Sequence, residues 1–302
     1  MERPLRIAAV QYRQRPIAGF DAFAAQVASC VELAAEADAF LVLFPEYLSL
    51  QLLSAFPCLQ PDRALELLTA STDAFTALLR DLARRHRLWI VGGTHLCYEA
   101  RDDSVRNRCF LADPEGMLYA QDKLHVTPDE RAFWGVVGGD TIPFYQAGAL
   151  RFGVLICYDS EFPEAARALA EAEVELVLVP FATEDRFGYL RVRSCAQARA
   201  VENQCYVALA GNVGRQPGVR NFAQHYARSA VLSPLDLGFP PDGVLAEAAA
   251  GEERVLIAEL DLARLARARR EGTVRNLADR RLDLFPKVPA ASPAKAEEPT
   301  ST

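Results

Sequence analysis

Apolar residues along the chain follow two spacings, one typical of buried strands and one typical of amphipathic helices. Continuous apolar runs at Leu5–Tyr12, Phe40–Phe44 and Leu88–Gly93 predict strands that are buried on both faces. Between these runs, apolar residues recur at helical spacing after Asp21, a candidate N-cap, and again over Asp62–His86. This alternation of strands and helices predicts a layered α/β fold.

The second half of the chain continues both spacings. Asn107–Ala112 and Met117–Asp122 predict a hairpin, because a Pro and a Gly between them suit a tight turn. Leu124–Gly148 is long but rich in apolar residues, so we expect a folded, partly buried loop. The remaining predicted strands are Phe152–Ile156, Val174–Pro180, Gln204–Gly211, Tyr226–Leu232 and Val255–Leu260. Three further helices are predicted: one that begins near Pro163, one over Tyr189–Glu202 and one over Asp261–Arg270.

Length and composition indicate a globular protein of enzyme size. The chain has 302 residues, of which 51% are hydrophobic and 24% charged. No linker is evident before the C-terminus, so we predict one domain over residues 1–286. Residues 287–302 are rich in Pro, Ala, Ser and Glu and are expected to be a disordered tail. The net charge of −7 gives no electrostatic case for a nucleic-acid partner.

The seven cysteines do not form a disulfide or zinc framework. None of them is part of a CxxC pair, and most lie within apolar helix or strand patterns. The N-terminus has no apolar leader, and no apolar run is long enough to cross a membrane. We therefore predict a reduced, cytoplasmic protein that does not act at a membrane.

Three reactive side chains follow three separate predicted strands: Glu46, Lys123 and Cys157. Ligands of layered α/β folds bind beyond the carboxyl ends of strands, so these residues could meet there. Together they suit acyl chemistry, in which a thiol attacks, a carboxylate moves the proton and an ammonium stabilises negative charge. Each also has a structural alternative, such as a buried packing thiol for Cys157. His125 is a further candidate for the base that activates Cys157.

The motifs around these residues resemble the nitrilase superfamily of carbon–nitrogen hydrolases. The resemblance extends from Leu5 to about Phe285 and is closest to the Rim1-like subgroup. Some members of that subgroup carry an acetyltransferase domain ahead of the hydrolase, which we do not expect here because the chain starts at the first strand. The matching motifs are FPEY with Glu46, DKLH with Lys123, TPDERAFW with Glu130, CYDSEFPE with Cys157, RAVEN from Arg199 to Asn203, and AGNVG with Asn212.

The resemblance implies a four-layer αββα sandwich that dimerises through helices. It makes Cys157 the nucleophile and Glu46 the general base. It makes Lys123, helped by the backbone N–H of Tyr158, the group that stabilises the tetrahedral intermediate. Glu130 would orient Lys123 and the substrate. No metal or organic cofactor is implied.

The leading function is hydrolysis of a small amide, and three alternatives stay open. The first is a true nitrilase, although such enzymes usually have Trp after the nucleophile where this chain has Tyr158. The second is an N-acyltransferase that uses the same acyl-enzyme. The third is a scaffold or interaction protein that retains the fold, which an intact Glu46, Lys123 and Cys157 set argues against.

Five residues are expected to border the substrate: Tyr47, Trp134, Tyr158, Glu161 and Phe181. Amidases of this superfamily that cleave amides of dicarboxylic acids often have Arg at the position of Glu161. An acid there would repel a substrate carboxylate and attract an amine, so we expect a neutral or cationic acyl portion. In the alternative interpretation, Glu161 caps the helix that begins at Pro163 or pairs with Arg186.

Overall fold

A computed structural model describes residues 5–297. The strands are β1 (Leu5–Gln14), β2 (Leu41–Leu43), β3 (Trp89–Glu99), β4 (Ser104–Ala112), β5 (Leu118–Asp122), β6 (Pro143–Ala147), β7 (Leu150–Val154), β8 (Leu176–Phe181), β9 (Tyr206–Arg215), β10 (Gln224–His225), β11 (Ala230–Leu232), β12 (Val244–Glu247), β13 (Arg254–Leu260) and β14 (Ser292–Pro293). The helices are α1 (Phe20–Glu36), α2 (Pro61–Ala70), α3 (Thr72–His86), α4 (Pro163–Glu171), α5 (Arg186–Asn203) and α6 (Leu262–Glu271).

Two sheets form the centre of the molecule. The first runs β13-β1-β2-β3-β4-β5, and its β1, β2 and β3 are parallel, with Ile7 opposite Leu41 and Leu41 opposite Trp89. The second runs β14-β6-β7-β8-β9-β11-β12. The end of β1 pairs in parallel with β9, where Tyr12 lies opposite Asn212, and this pairing joins the two sheets.

Side-chain alternation along the strands produces four layers. In β1, Ile7 faces the other sheet while its neighbour Ala8 packs under helices α1 and α3. Leu41 and Val42 repeat this division in β2. Helices α4 and α5 cover the far side of the second sheet, where Leu169 and Ala196 join its core. The expected αββα sandwich is therefore confirmed.

Some element boundaries differ from the sequence-based expectation. The helix predicted over residues 62–86 is two helices, because the chain breaks at Ser71 between α2 and α3. Asp21 lies in the first turn of α1, and Gly19 occupies the N-cap position instead. The strand predicted over residues 226–232 shortens to β11, which pairs with both β9 and β12.

Two glycines permit close approaches beside the strand ends that matter most. Gly93 has φ +64°, and a Cβ there would lie 1.8 Å from the carbonyl oxygen of Pro45. A Cβ on Gly153 would lie 2.5 Å from Leu169 of helix α4. A larger residue at position 93 would therefore displace the segment that carries Glu46.

The expectation of a disordered tail is wrong for residues 291–297, which lie along the sheet edges. β14 pairs in parallel with β6, and the N–H of Ala294 donates to the carbonyl of Phe144 at 2.8 Å. The N–H of Glu297 donates to the carbonyl of Leu118 in β5 at 2.7 Å. No apolar pattern marks this docking, because backbone hydrogen bonds to an open strand edge do not require one. Residues 298–302 lie outside the described residues.

No helix within residues 5–297 is long and apolar enough to cross a membrane.

Candidate active site

Three strand ends place the reactive side chains at the junction of the two sheets. Glu46 follows β2, Lys123 directly follows β5, and Cys157 opens a short 3-10 turn after β7. Tyr47 and Cys157 have φ values of 58° and 47°, in the left-handed region that non-glycine residues rarely adopt. Such backbone conformations cost about 1–3 kcal/mol each and persist only when the surrounding structure enforces them.

The ammonium of Lys123 lies between two buried carboxylates. Its Nζ donates to Oε1 of Glu46 at 2.8 Å and to Oε2 of Glu130 at 2.7 Å. Lys123 and Glu46 are each 1% exposed, and Glu130 is 4% exposed. The surrounding carboxylates raise the pKa of Lys123 despite its burial, so the side chain is charged. An ammonium has three donors, and the third can serve negative charge that develops beside Cys157.

Glu130 is held as an anion by a full set of donors. Burial alone would raise the pKa of this carboxyl, but Lys123 and the hydroxyl of Tyr47 lower it below its ordinary value. Tyr47 donates to Oε1 at 2.5 Å, and the backbone N–H of Thr127 donates to Oε2 at 2.9 Å. Glu130 is thus the permanent counterion of Lys123.

Glu46 has the opposite balance. Its complete burial raises its pKa above the ordinary carboxyl value, and the nearby charge of Glu130 adds to the rise, against the opposing effect of Lys123. Its Oε2 accepts a hydrogen bond from the backbone N–H of Ala182 at 3.1 Å. The thiol of Cys157 lies close enough to Glu46 to affect its pKa, and its Sγ is 3.9 Å from the carbonyl oxygen of Ala182. A carboxylate with a raised pKa beside a thiol is suited to accept and return a proton. Two glutamates on one lysine therefore differ in role because their environments shift their pKa values in opposite directions.

Cys157 is a protonated thiol at rest. Burial raises its pKa well above the ordinary value, and the charge of Glu46 adds to this, outweighing the opposing effect of Lys123. The ammonium of Lys123 favours the thiolate, but its effect is smaller than the combined effect of burial and Glu46. Burial and the anion beside the thiol could not be weighed from the sequence. The nucleophile has to be generated by proton transfer to Glu46 during the reaction.

Asp159 fixes the backbone of Lys123 and Cys157 relative to each other. Its fully buried carboxylate accepts hydrogen bonds from the N–H groups of His125 at 2.7 Å and Ile156 at 3.2 Å. One group lies just after Lys123 and the other just before Cys157. The side chain therefore joins the two catalytic segments.

Two further family motifs also hold backbone. Asn212 of AGNVG donates from Nδ2 to the carbonyl oxygen of Glu46 at 2.7 Å. Arg199 of RAVEN donates from Nε to the carbonyl oxygen of Ser160 at 3.0 Å, within the turn that Cys157 opens. Arg199 also pairs with Glu202 at 2.6 Å. Asn212 and Arg199 thus support the backbone of the reactive residues.

A cavity of about 600 Å³ opens above these groups. Glu46, Lys123, Glu130 and Cys157 all border it, and so do four of the five residues expected near the substrate, which are Tyr47, Trp134, Tyr158 and Glu161. Phe181, the fifth, is fully buried in the core, where its ring packs beside Tyr189 and Gly211. The expectation for Phe181 is therefore wrong. The next residue, Ala182, borders the cavity at the end of β8 instead.

Glu161 faces the cavity and has a loose ion pair. Its carboxylate lies 3.7 Å from Nε of Arg191, not beside Arg186. The Arg191 side chain is 66% exposed, so solvent weakens this pair. Burial is the main cause of the raised pKa of Glu161. The alternative interpretation, in which Glu161 caps the helix that begins at Pro163 or pairs with Arg186, is not what the structure shows, because Phe162 is the N-cap of α4 and the ion-pair partner is Arg191.

His125 has no position from which to serve Cys157. Its Nδ1 lies 2.9 Å from Oδ1 of Asp159, and its ring stacks on Phe162 with centroids 3.7 Å apart. It does not border the cavity. The structure thus separates the alternative base from the thiol and leaves Glu46 beside it.

Several residues in and behind the cavity wall had no sequence signal. Phe222 and His225 line the cavity from the loop after β9 and from β10, and Asn107 lies buried behind it in β4. No chemical motif marks any of the three. Phe222 packs edge-on against Tyr47 at 5.7 Å, and His225 lies against Phe222. Burial lowers the pKa of His225 to about 4, so its ring is neutral near pH 7. In the sequence, these residues differ from surface residues only in being uncharged and in lying in or next to predicted strands, which could have suggested that they are buried.

Within residues 5–297, no group of three or more His, Cys, Asp or Glu side chains is arranged to hold a metal ion. The arrangement instead offers a nucleophile, a base and a fixed cation on one cavity floor. This combination suits nucleophilic attack on an acyl carbon.

Comparison with known proteins identifies the family. Residues 6–270 match the carbon–nitrogen hydrolase family. The chain belongs to this family. The resemblance to the nitrilase superfamily that the motifs indicated is thereby confirmed.

Two curated relatives of this carbon–nitrogen hydrolase illustrate the range of the family. The chain is 40% identical over 282 residues to "Probable hydrolase YhcX" of Bacillus subtilis, which is 93% of this chain and 55% of that protein. It is 35% identical over 186 residues to an "(R)-stereoselective amidase" of Pseudomonas sp, which is 62% of each chain. The chain thus spans between about half and two thirds of these relatives' lengths.

Solved structures of an amidase from Nesterenkonia sp. AN1 have the same fold. A double mutant in complex with acrylamide matches with a TM-score of 0.72 and 26% identity, over 93% of this chain and 95% of that one. Another structure, which shows Michael addition of acrylamide at the active-site cysteine, matches with a TM-score of 0.71 and 26% identity, over 93% of this chain and 98% of that one.

Replacing Glu130 tests its role as the counterion of Lys123. We expect Glu130→Gln to remain folded but to lose about 100-fold in turnover, equivalent to about 2.7 kcal/mol, because a neutral amide no longer fixes the ammonium. Steady-state kinetics of the purified variant measures the loss. Glu32→Gln, on the exposed face of α1, is the matched control and should retain wild-type turnover. Wild-type turnover in folded Glu130→Gln would reduce Glu130 to a residue that stabilises its own loop.

Proposed function

We propose that this carbon–nitrogen hydrolase cleaves the C–N bond of a small amide through a thioester on Cys157. The observation that supports this most directly is the hydrogen-bonded set of Glu46, Lys123 and Glu130 beside the Cys157 thiol, on the floor of an open cavity. The cavity of about 600 Å³ is within the range of sites for small molecules.

In the first half-reaction, Cys157 attacks the amide carbon. As the S–C bond forms, the thiol proton moves to Glu46. The carbonyl oxygen becomes an oxyanion, which the third N–H of Lys123 and the backbone N–H of Tyr158 stabilise. Glu46 then gives its proton to the nitrogen, the C–N bond breaks, and ammonia or an amine leaves a thioester on Cys157.

In the second half-reaction, water resolves the thioester. Glu46, again a carboxylate, takes a proton from the attacking water, and Lys123 stabilises the second oxyanion. The C–S bond breaks, the carboxylic acid is released, and the proton held by Glu46 returns to the sulfur of Cys157. One base thus serves both halves, which requires a pKa nearer to the working pH than that of an ordinary carboxyl.

An amide suits the site better than a nitrile on the residue that follows the nucleophile, since Tyr158 stands where true nitrilases usually have Trp. Acyl transfer uses the same thioester and differs only in the nucleophile that resolves it. A homodimer and a cytoplasmic location remain predictions from the sequence.

A release assay tests the proposal. Wild-type protein should release ammonia from a set of short primary amides, at rates above those from the matching nitriles. Cys157→Ala removes the nucleophile and should abolish release. Because Glu46→Gln keeps the shape of the base but cannot accept a proton, it should abolish release as well.

The same protein samples show which results would contradict the proposed function. Intact-mass spectrometry should detect an acyl adduct on wild-type protein and none on Cys157→Ala. Faster release from nitriles would favour the nitrilase alternative. Amide adducts that an added amine resolves faster than water would favour acyl transfer. No release and no adduct with any substrate would contradict an enzymatic role.

The charge of the cavity wall bears on the choice of substrate. Above the catalytic floor the wall carries four acids and one arginine, which are Asp129, Glu161, Glu184, Asp185 and Arg191. Neither Arg131 nor Arg186 borders the cavity. An anionic acyl portion therefore meets net negative charge, whereas a neutral or cationic one does not.

Substrate comparison tests this preference. We expect an amine-bearing amide or a neutral amide to be turned over at least about 10-fold more efficiently than the ω-amide of a dicarboxylic acid, because about 1.4 kcal/mol of repulsion suffices for that ratio. Glu161→Gln should lower this ratio of efficiencies. Arg191→Gln changes the other partner of the ion pair and should raise the ratio. Preference for the dicarboxylic substrate, lost in Arg191→Gln, would show that Arg191 binds the carboxylate and that the expectation for Glu161 is wrong.

A further inference from the structure

Asn107 lies between the two catalytic glutamates. Its Nδ2 donates to Oε1 of Glu46 at 3.0 Å and to Oε1 of Glu130 at 2.8 Å. The residue is fully buried in β4, and its backbone carbonyl oxygen accepts a hydrogen bond from the backbone N–H of Lys123 at 2.9 Å. One neutral side chain thus contacts both carboxylates and the backbone of the residue that carries the cation.

The side-chain oxygen of Asn107 indicates that this position is suited to the N–H donors of the amide rather than to its acceptor. Oδ1 of Asn107 is buried and has no hydrogen-bond partner within the described part of the chain. Buried polar atoms are nearly always paired, so an unpaired one calls for an explanation. Here the two N–H groups are both used by anions, and hydrogen bonds to charged groups are stronger than those between neutral groups. The carboxylates of Glu46 and Glu130 thus orient the side-chain amide of Asn107, and its Oδ1 forgoes a hydrogen bond.

Asn107 also determines which oxygen of Glu46 is open to the thiol. Oε1 of Glu46 accepts from both Lys123 and Asn107, so its two lone pairs are occupied. Oε2 accepts from the N–H of Ala182 and keeps one lone pair. The free lone pair of Oε2 is therefore the acceptor that this arrangement leaves for the proton of Cys157.

We propose that Asn107 is a positioning residue that aligns Glu46 and Glu130 on either side of Lys123 and directs the proton of Cys157 to Oε2 of Glu46. This role builds on the proposed function but does not require amide hydrolysis, because any electrophile that reacts with the Cys157 thiol uses the same proton transfer. Without the Asn107 donors, Glu46 loses a hydrogen bond to its charged form, and its pKa rises further. The base is then protonated over a wider range of acidic pH.

Alkylation of Cys157 over a range of pH tests this role without relying on turnover. Wild type, Asn107→Ser and Asn107→Asp are treated with a small uncharged electrophile, and peptide mass spectrometry follows each cysteine. Cys58 is exposed and serves as the internal reference in every sample. We expect the acid limb of the Cys157 rate to move to higher pH in both variants, with a rate near pH 7 at least about 10-fold below wild type. Asn107→Asp should shift it more, because it adds a third carboxylate.

Asn203→Ser is the matched control. Asn203 is also buried, but its Nδ2 donates to the carbonyl oxygen of Arg199 in helix α5 and not to Glu46 or Glu130. We expect this variant and the Asn107 variants alike to melt at a lower temperature than wild type. Asn203→Ser should nevertheless keep the wild-type pH dependence of Cys157.

Each outcome decides the proposal separately from the amidase activity. A shifted limb in the Asn107 variants supports the positioning role even if no amide is hydrolysed. An unchanged limb in a folded Asn107→Ser overturns the role even if wild type is an active amidase. If Asn107→Asp does not fold, the serine variant decides. Failure of both variants to fold would make Asn107 a structural residue and overturn the proposal.

Discussion

The structure depends on a single buried ammonium shared by two carboxylates. A lysine as deeply buried as Lys123 is stable only when charged partners replace its water, and Glu46 and Glu130 do so at 2.8 and 2.7 Å. One cation cannot compensate two anions equally. Glu130 collects the additional donors and stays ionised, whereas burial leaves Glu46 with a raised pKa. The division into counterion and base follows from that inequality.

The arrangement of the two sheets places Glu46, Lys123 and Cys157 close together. Glu46, Lys123 and Cys157 come from the ends of β2, β5 and β7, which belong to different sheets or to distant positions in one sheet. The pairing of β1 with β9 joins the two sheets, and Asp159 connects the Lys123 segment to the Cys157 turn. The left-handed backbone of Cys157 is maintained because its neighbours on both sides are fixed.

The sequence predicted the layers and the reactive residues but not the relations between them. Apolar alternation and strand–helix order indicate which segments are buried, and the motif resemblance assigned Glu46 as base, which the geometry supports by separating His125 from the thiol. Phe181 was misplaced because a buried strand gives no sign of which side its last residue faces. The protonation state of Cys157 could not be predicted from the sequence because it depends on burial and on two opposite charges at close range. Asn107 carries no motif, and its importance arises only from contacts made after folding.

The central claim is that Cys157 rests as a thiol and is activated by Glu46 rather than by Lys123. Ultraviolet absorbance of the thiolate measures this directly, as the difference between wild type and Cys157→Ala across a pH titration. The account predicts no thiolate signal from Cys157 at neutral pH, because burial and Glu46 raise the pKa of the thiol. In Glu46→Gln, where the repelling anion is gone, the signal should appear at lower pH than in wild type. A full thiolate signal in the wild-type protein at neutral pH would contradict the account and return the activating role to Lys123.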